Sequence, residues 1–165
     1  MKNLNIFLGI LTTLAISRFI PHPPNFTIAI AMSFYAPFIF GQKKIFYVLA
    51  SFIITDLIIG YHLTTHWTWG SILIIGFIYK LFKKNLIYRL FGVLSSALLF
   101  FILTNFGVWT LGQYGYHLSG LVKCYILAIP FFGNTLISSI IFAVIIEIFY
   151  FLYIYKFASK KKINF

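Results

Sequence analysis

The chain has 165 residues, a length that suits one domain, but 61% of them are hydrophobic and only 9% charged, against about 25% charged in a soluble domain. Thirteen Lys and Arg face two acidic residues, Asp56 and Glu147, for a formal net charge of +11. Too few polar residues remain to cover a globule in water. That excludes a soluble domain, and with it the nucleic-acid partner that so basic a chain would otherwise suggest.

Apolar runs divided by polar, Gly or Pro breaks predict an all-α integral membrane protein, a single transmembrane domain over residues 1–165 with six spans. The first covers residues 4–20 and stops at Pro21-His22-Pro23-Pro24, where proline removes backbone donors and turns the preceding residue away from helix. The second covers 26–40, contains Pro37 and ends at Gly41-Gln42-Lys43-Lys44. Spans three, four and five are expected at 45–61, 67–82 and 86–106. Beyond a Gly- and aromatic-rich loop, residues 118–132 read as a short helix at the outer interface, broken at Pro130 and Gly133-Asn134. The run is too short for the roughly 20 residues a crossing needs. The last span is expected at 135–157, followed by Lys160-Lys161-Lys162.

Charge sets the orientation, because Lys and Arg accumulate on the cytoplasmic side. With the N-terminus inside, the inner segments hold Lys2, Lys43, Lys44, Lys80, Lys83, Lys84, Arg89, Lys156, Lys160, Lys161 and Lys162, eleven of the thirteen basic residues. Arg18 and Lys123 stay outside. Both termini are therefore expected in the cytoplasm of an inner-membrane protein. Lys2, the apolar run and Ala15-Ile16-Ser17 also fit a cleavable secretory signal. Arg18 and the Pro-rich loop after it favour a retained span.

An ionised residue near a helix centre costs roughly 2.5–3.5 kcal/mol on insertion scales and needs a partner or a wet cavity. Both acids face that cost. Asp56 and Arg18 lie at similar depth near the outer side, so an ion pair or a ligand-site carboxylate is open to Asp56; in the simplest alternative Arg18 snorkels to outer water. Glu147 lies mid-span with no basic partner evident at its depth. It reads either as a protonated, hydrogen-bonded side chain or as a proton-coupling carboxylate.

All four histidines, His22, His62, His66 and His117, fall outside. His62 and His66 would share a face on a continuous helix, but no Cys or further carboxylate completes a metal site, and no metal is expected. The lone Cys124 excludes an internal disulfide framework. No Gly-x4-Gly-Lys-Ser/Thr loop occurs, so the chain has no recognisable means of hydrolysing ATP. No enzyme activity and no cofactor are expected. Asn25, Thr64, Thr65, Asn105, Gln113 and Asn134 gather outside beside Trp67, Trp69, Trp109, Tyr114 and Tyr116, a mixture that suits a planar, partly polar small molecule. Gly9, Thr13 and Ser17 make a small-residue face on helix 1 for a packed helix.

Three segments carry a resemblance: Pro21-His22-Pro23-Pro24-Asn25-Phe26-Thr27 after Arg18; Thr55-Asp56-Leu57-Ile58-Ile59-Gly60-Tyr61-His62; and Asn105-Phe106-Gly107-Val108-Trp109 with Gly120 to Tyr125 and Ile129-Pro130-Phe131-Phe132-Gly133-Asn134-Thr135-Leu136. From Arg18 to Phe142 the chain resembles an uncharacterised family of small bacterial membrane proteins described as transport proteins. That family is itself similar to the substrate-binding S components of energy-coupling-factor (ECF) vitamin transporters. The resemblance implies the six-helix S-component fold and an outer cavity roofed by the helix 1–2, 3–4 and 5–6 loops. The candidate binding residues are then Asn25, Asp56, His62, Asn105, Trp109 and Asn134. It also implies uptake of a small organic molecule, of the vitamin or cofactor-precursor class, with a membrane-coupling subunit and ATPase subunits as partners. The chain departs from that pattern at Ser138-Ser139, where Gly-Asp is expected, and on helix 1, where Gly9, Thr13 and Ser17 only approximate an Ala-x3-Ala docking face. A membrane interaction or assembly protein that does not transport is the alternative.

Overall fold

A computed structural model describes residues 2–83 and 85–162, with side chains described as far as Ile154. Lys84 and the tail side chains of Lys156, Lys160, Lys161 and Lys162, which entered the charge argument, lie outside the described residues. All regular structure among the described residues is helical: α1 (Lys2–Phe19), α2 (Ala29–Phe40), a 3-10 turn (Gln42–Lys44), α3 (Ile45–Ile59), α4 (Thr65–Phe82), α5 (Leu86–Trp109) and α6 (Leu118–Lys162).

Local chemistry explains where these helices stop. Gly41 and Gly60 close α2 and α3 at φ +97° and +126°, backbone that a Cβ disfavours, and their N–H groups bond back to the carbonyls of Pro37 and Asp56. Asn85 caps α5 by accepting the Tyr88 N–H at 3.0 Å.

The helix α2 forms the centre of the bundle. Its residues from Ala29 to Ala31 and from Ser33 to Pro37 are buried, and it packs on α1, α3, α4, α5 and α6. A helix that is apolar all round suits such a central place. Around it, α1 pairs with α3, α3 with α4, α4 with α5, and α5 with α6. Close seats let these helices meet: Gly92 lies under the Phe34 ring and Gly107 under the indole of Trp67.

Side-chain contacts define the two ends of the bundle. At one, Lys44 Nζ donates to Asn3 Oδ1 at 2.8 Å and Gln42 Nε2 to the Gly76 carbonyl at 2.9 Å. At the other, Arg18 of α1 reaches Asp56 of α3, and Asn134 of α6 reaches the α1–α2 loop. The first end holds Lys2, Lys43, Lys44, Lys80 and Lys83; the second holds the histidines and tryptophans.

One expectation is corrected here. The short helix at 118–132 and the span at 135–157 are a single continuous helix, α6, with Pro130 inside it. Proline costs one backbone bond, to the Ile126 carbonyl, yet the helix continues through the gap, with side-chain bonds on both sides of it. Before Pro130, Tyr125 Oη donates to the Ile102 carbonyl at 2.6 Å; after it, Thr135 Oγ1 donates to the Phe131 carbonyl at 2.9 Å.

Among the described residues, two segments, Leu86–Trp109 and Leu118–Ile154, are long and apolar enough to cross a membrane, and α2 is a shorter apolar helix. The 37 residues of the second segment span about 55 Å at 1.5 Å per residue, well beyond a hydrocarbon core of about 30 Å.

Candidate functional site

At the second end, a cavity of about 200 Å³ lies between α4, α5, α6 and the α1–α2 loop. Phe101, Thr104, Asn105 and Val108 reach it from α5, at the i, i+3, i+4, i+7 spacing of one helix face. Phe131, Phe132 and Thr135 do the same from α6, with Thr64 and Thr68 at the start of α4. Asn25 comes from the loop, in left-handed backbone at φ +63°, which Asn tolerates better than most side chains.

One bond from α6 holds that loop over the cavity, and a second α6 side chain approaches it. Asn134 Nδ2 donates to the Pro24 carbonyl at 3.0 Å, and Ser138 Oγ lies 3.5 Å from the Asn25 carbonyl. Ser138, where the resemblance leads one to expect Gly, has one hydroxyl hydrogen and a nearer acceptor in the Thr135 carbonyl at 3.1 Å, so Asn134 is the roof anchor. Ser139, beside Ser138, is fully buried, and its hydroxyl has no hydrogen-bond partner.

The cavity wall is polar but already partly committed. Thr104 Oγ1 donates to the Phe100 carbonyl at 2.7 Å, and Asn105 Nδ2 to the Phe101 carbonyl at 2.8 Å. Phe101 and Phe132 stack with centroids 4.5 Å apart, joining α5 to α6 in the wall.

Of the six candidate binding residues, Asn25 and Asn105 line the cavity. Asn134 acts on the roof. Trp109 Nε1 donates to the Gly115 carbonyl at 2.9 Å and closes the α5–α6 loop. His62 is exposed ahead of α4, its backbone N–H donating to Thr65 Oγ1 at 2.9 Å. Residues 62–64 are not helical, so His62 and His66 do not share a helix face.

Asp56 is fully engaged elsewhere. Its Oδ1 accepts from Arg18 Nη2 at 2.5 Å and its Oδ2 from Trp69 Nε1 at 2.7 Å. Arg18 also bonds Thr55 Oγ1 and the Phe52 carbonyl, with its guanidinium 3.9 Å from the Phe52 ring centroid. The arrangement joins α1, α3 and α4 around a satisfied charge pair.

Glu147 has the basic partner that its sequence position did not reveal. Arg89 donates through Nε to Oε1 at 2.5 Å and through Nη2 to Oε2 at 2.7 Å, and Tyr35 Oη adds a third bond to Oε1 at 2.7 Å. Arg89, counted with the inner basic residues and within the expected fifth span, lies in the first turn of α5, where its fork fits a carboxylate on α6.

The sequence reading missed the threonines Thr68, Thr104 and Thr135 and the phenylalanines of the wall. The four-residue face 101/104/105/108 is the signal that would have found Phe101 and Thr104 among them.

A second concavity, a groove of about 980 Å³, runs along α1, α2 and α6 at the lysine-bearing end. Gly9 and Thr13 line it beside Tyr35 and Tyr150, and Lys2 lies at its end. A Cβ on Gly9 would meet nothing within 4 Å, so this part of the small-residue face is not filled by another helix of the chain. Ser17 lies outside the groove and donates to the Leu14 carbonyl at 2.9 Å.

These features define an all-helical protein with helices able to cross a membrane and a small polar-aromatic cavity at one end. The chain belongs to a family of unknown function, DUF6580, whose match extends over residues 1–161. No curated protein and no solved structure matches it.

Proposed function

We propose that this protein is a six-span inner-membrane protein, with both termini in the cytoplasm, that binds a small organic molecule from the outer side as the substrate-binding subunit of an uptake system. The observation that carries the reading is the cavity beneath the Asn25 loop, polar and aromatic, at the end opposite Lys2, Lys43, Lys44, Lys80 and Lys83. The exterior supports the membrane setting: Leu57, Leu81, Phe149 and Phe151 are 67–76% exposed, a cost that water would impose and lipid would not.

The S-component resemblance supplies the rest of the proposal. The ligand belongs to the vitamin or cofactor-precursor class, and energy comes from a separate membrane-coupling subunit with ATPase subunits. The coupling subunit docks along the open Gly9–Thr13 groove. Glu147 is held by Arg89 and Tyr35, which favours a structural over a proton-coupling role for it.

Two experiments test the proposal. Single cysteines in a Cys124→Ser background, probed with a membrane-impermeant maleimide on intact cells, should label at Gln113 and not at Lys43; the reverse pattern refutes the orientation. Vitamins and cofactor precursors should raise the unfolding temperature of the purified protein, and absence of any shift across that set counts against a binding subunit. The groove, larger than the cavity, supports a second reading: a membrane assembly protein that docks a partner and carries no ligand. Partner capture by a protein whose cavity binds nothing would favour it.

A further inference from the structure

The cavity wall contains Asn, Thr, Phe and Val and not one ionisable side chain. The two acids are committed to Arg18 and Arg89 in bonds of their own, outside the lining. An ionised ligand would therefore give up hydration without meeting a counter-charge, which is strongly unfavourable. A neutral ligand does not carry that cost.

The direction of hydrogen bonding is also set. The Thr104 and Thr135 hydroxyl hydrogens are taken by the carbonyls of Phe100 and Phe131 on their own helices, so both oxygens offer lone pairs to the cavity. Asn105 must turn its NH2 toward the Phe101 carbonyl, because a carbonyl can only accept. That leaves its own oxygen as an acceptor beside them, together with its second N–H. Along α5 and α6 the wall thus asks for a ligand that donates, while Asn25, Thr64 and Thr68 supply donors to an acceptor on the same ligand. The phenylalanines on α5 and α6 suit a flat ring, and about 200 Å³ lies below the roughly 300–1,000 Å³ of sites for drug-sized ligands.

We propose that this cavity binds an uncharged, planar molecule of about one ring bearing N–H donors, such as an aromatic carboxamide, and discriminates against carboxylates and ammonium ions of the same shape. The inference rests on the binding reading above and sharpens its substrate class.

The test uses the full chain in detergent with isosteric probes: benzamide and nicotinamide against benzoate, nicotinate and benzylammonium, followed by thermal shift and calorimetry. The amides should bind at least about tenfold more tightly than the charged probes, a difference of about 1.4 kcal/mol. Asn105→Ala and Thr104→Val should each weaken amide binding several-fold, and Asn105→Asp should shift preference toward benzylammonium. The unfolding temperature of each unliganded variant reports whether it folds, and Thr104→Val keeps the side-chain shape should Asn105 variants fail. A charged probe that binds as tightly as the amides, with binding lost in either variant, overturns the neutral class and leaves the binding reading standing. Binding indifferent to both variants, or no binding by any probe at about 10 mM, overturns the inference and the cavity reading together.

Discussion

Replacing Glu147 by alanine strands Arg89 inside the bundle. The pair is well enclosed, with side-chain exposures of 12% for Arg89 and 10% for Glu147, and the carboxylate accepts three hydrogen bonds from two helices other than its own. Hydrogen bonds to a charged group contribute about 1.5–3 kcal/mol each, and desolvation of the ions offsets much of their sum. Breaking a buried pair by removing one partner costs about 3–5 kcal/mol, because the other charge is left uncompensated. For a chain of this length, about 1 kcal/mol moves the unfolding midpoint by roughly 2–4 °C, so Glu147→Ala should lower it by about 6–20 °C. Tyr35→Phe, which removes one of the three bonds and no charge, should cost less than half as much. The double replacement Arg89→Leu with Glu147→Leu should recover most of the loss, since neither ion then remains to be solvated. Thermal unfolding in one detergent of the parent, Arg89→Leu, Glu147→Leu and the double variant closes a double-mutant cycle, with Glu147→Ala and Tyr35→Phe measured alongside. A Glu147→Ala protein within about 1 kcal/mol of the parent, or a double variant worse than either single one, would refute the assignment of these charges to each other.

Other perturbations read different parts of the bundle. Asp56→Asn should cost about 3–5 kcal/mol by leaving Arg18 without its counter-charge, whereas Trp69→Phe, which removes one donor, should cost about 1.5–3 kcal/mol; equal losses in unfolding assays would contradict the shared-carboxylate geometry. Gly107→Ala drives a methyl into the indole of Trp67 and should destabilise by about 1–3 kcal/mol, with a change in tryptophan fluorescence; a neutral result would show that α4 and α5 do not meet at that seat. Gly9→Leu fills the open groove and should leave the unfolding midpoint within about 2 °C while abolishing co-purification of a coupling subunit. A large loss of stability would mean that α1 is packed there within the chain.

Much of the helical layout was legible because lipid-scale apolar runs need only composition and breakers to be seen. Gly41 and Gly60 stop α2 and α3 for reasons internal to a few residues, and the Pro21–Pro24 cluster ends α1 in the same way. Pro130 was misleading because its local effect, one lost bond, is outweighed by contacts to α5 from residues far along the chain, such as Tyr125 to Ile102. In the candidate site, Asn25 and Asn105 stood out as polar residues near an outer boundary. Thr104 and Thr135 did not, since a threonine in an apolar helix so often bonds only its own backbone, as these two also do.

The excess of thirteen basic over two acidic residues is a property of the sequence alone, and so are the apolar runs that demand helices and the lysines that cluster at one end. What those two acids do was decided by the tertiary structure. Asp56 and Arg18 are 38 residues apart in the chain and Glu147 and Arg89 are 58 apart, and charge pairing at such separations depends on which helices are neighbours and on the rotation of each about its axis. Sequence patterning fixes a helix's apolar stripe to within a turn or so; only packing around the buried α2 decides which side chains meet. The cavity has the same origin, as a space between α4, α5 and α6 beneath a loop that Asn134 holds in place.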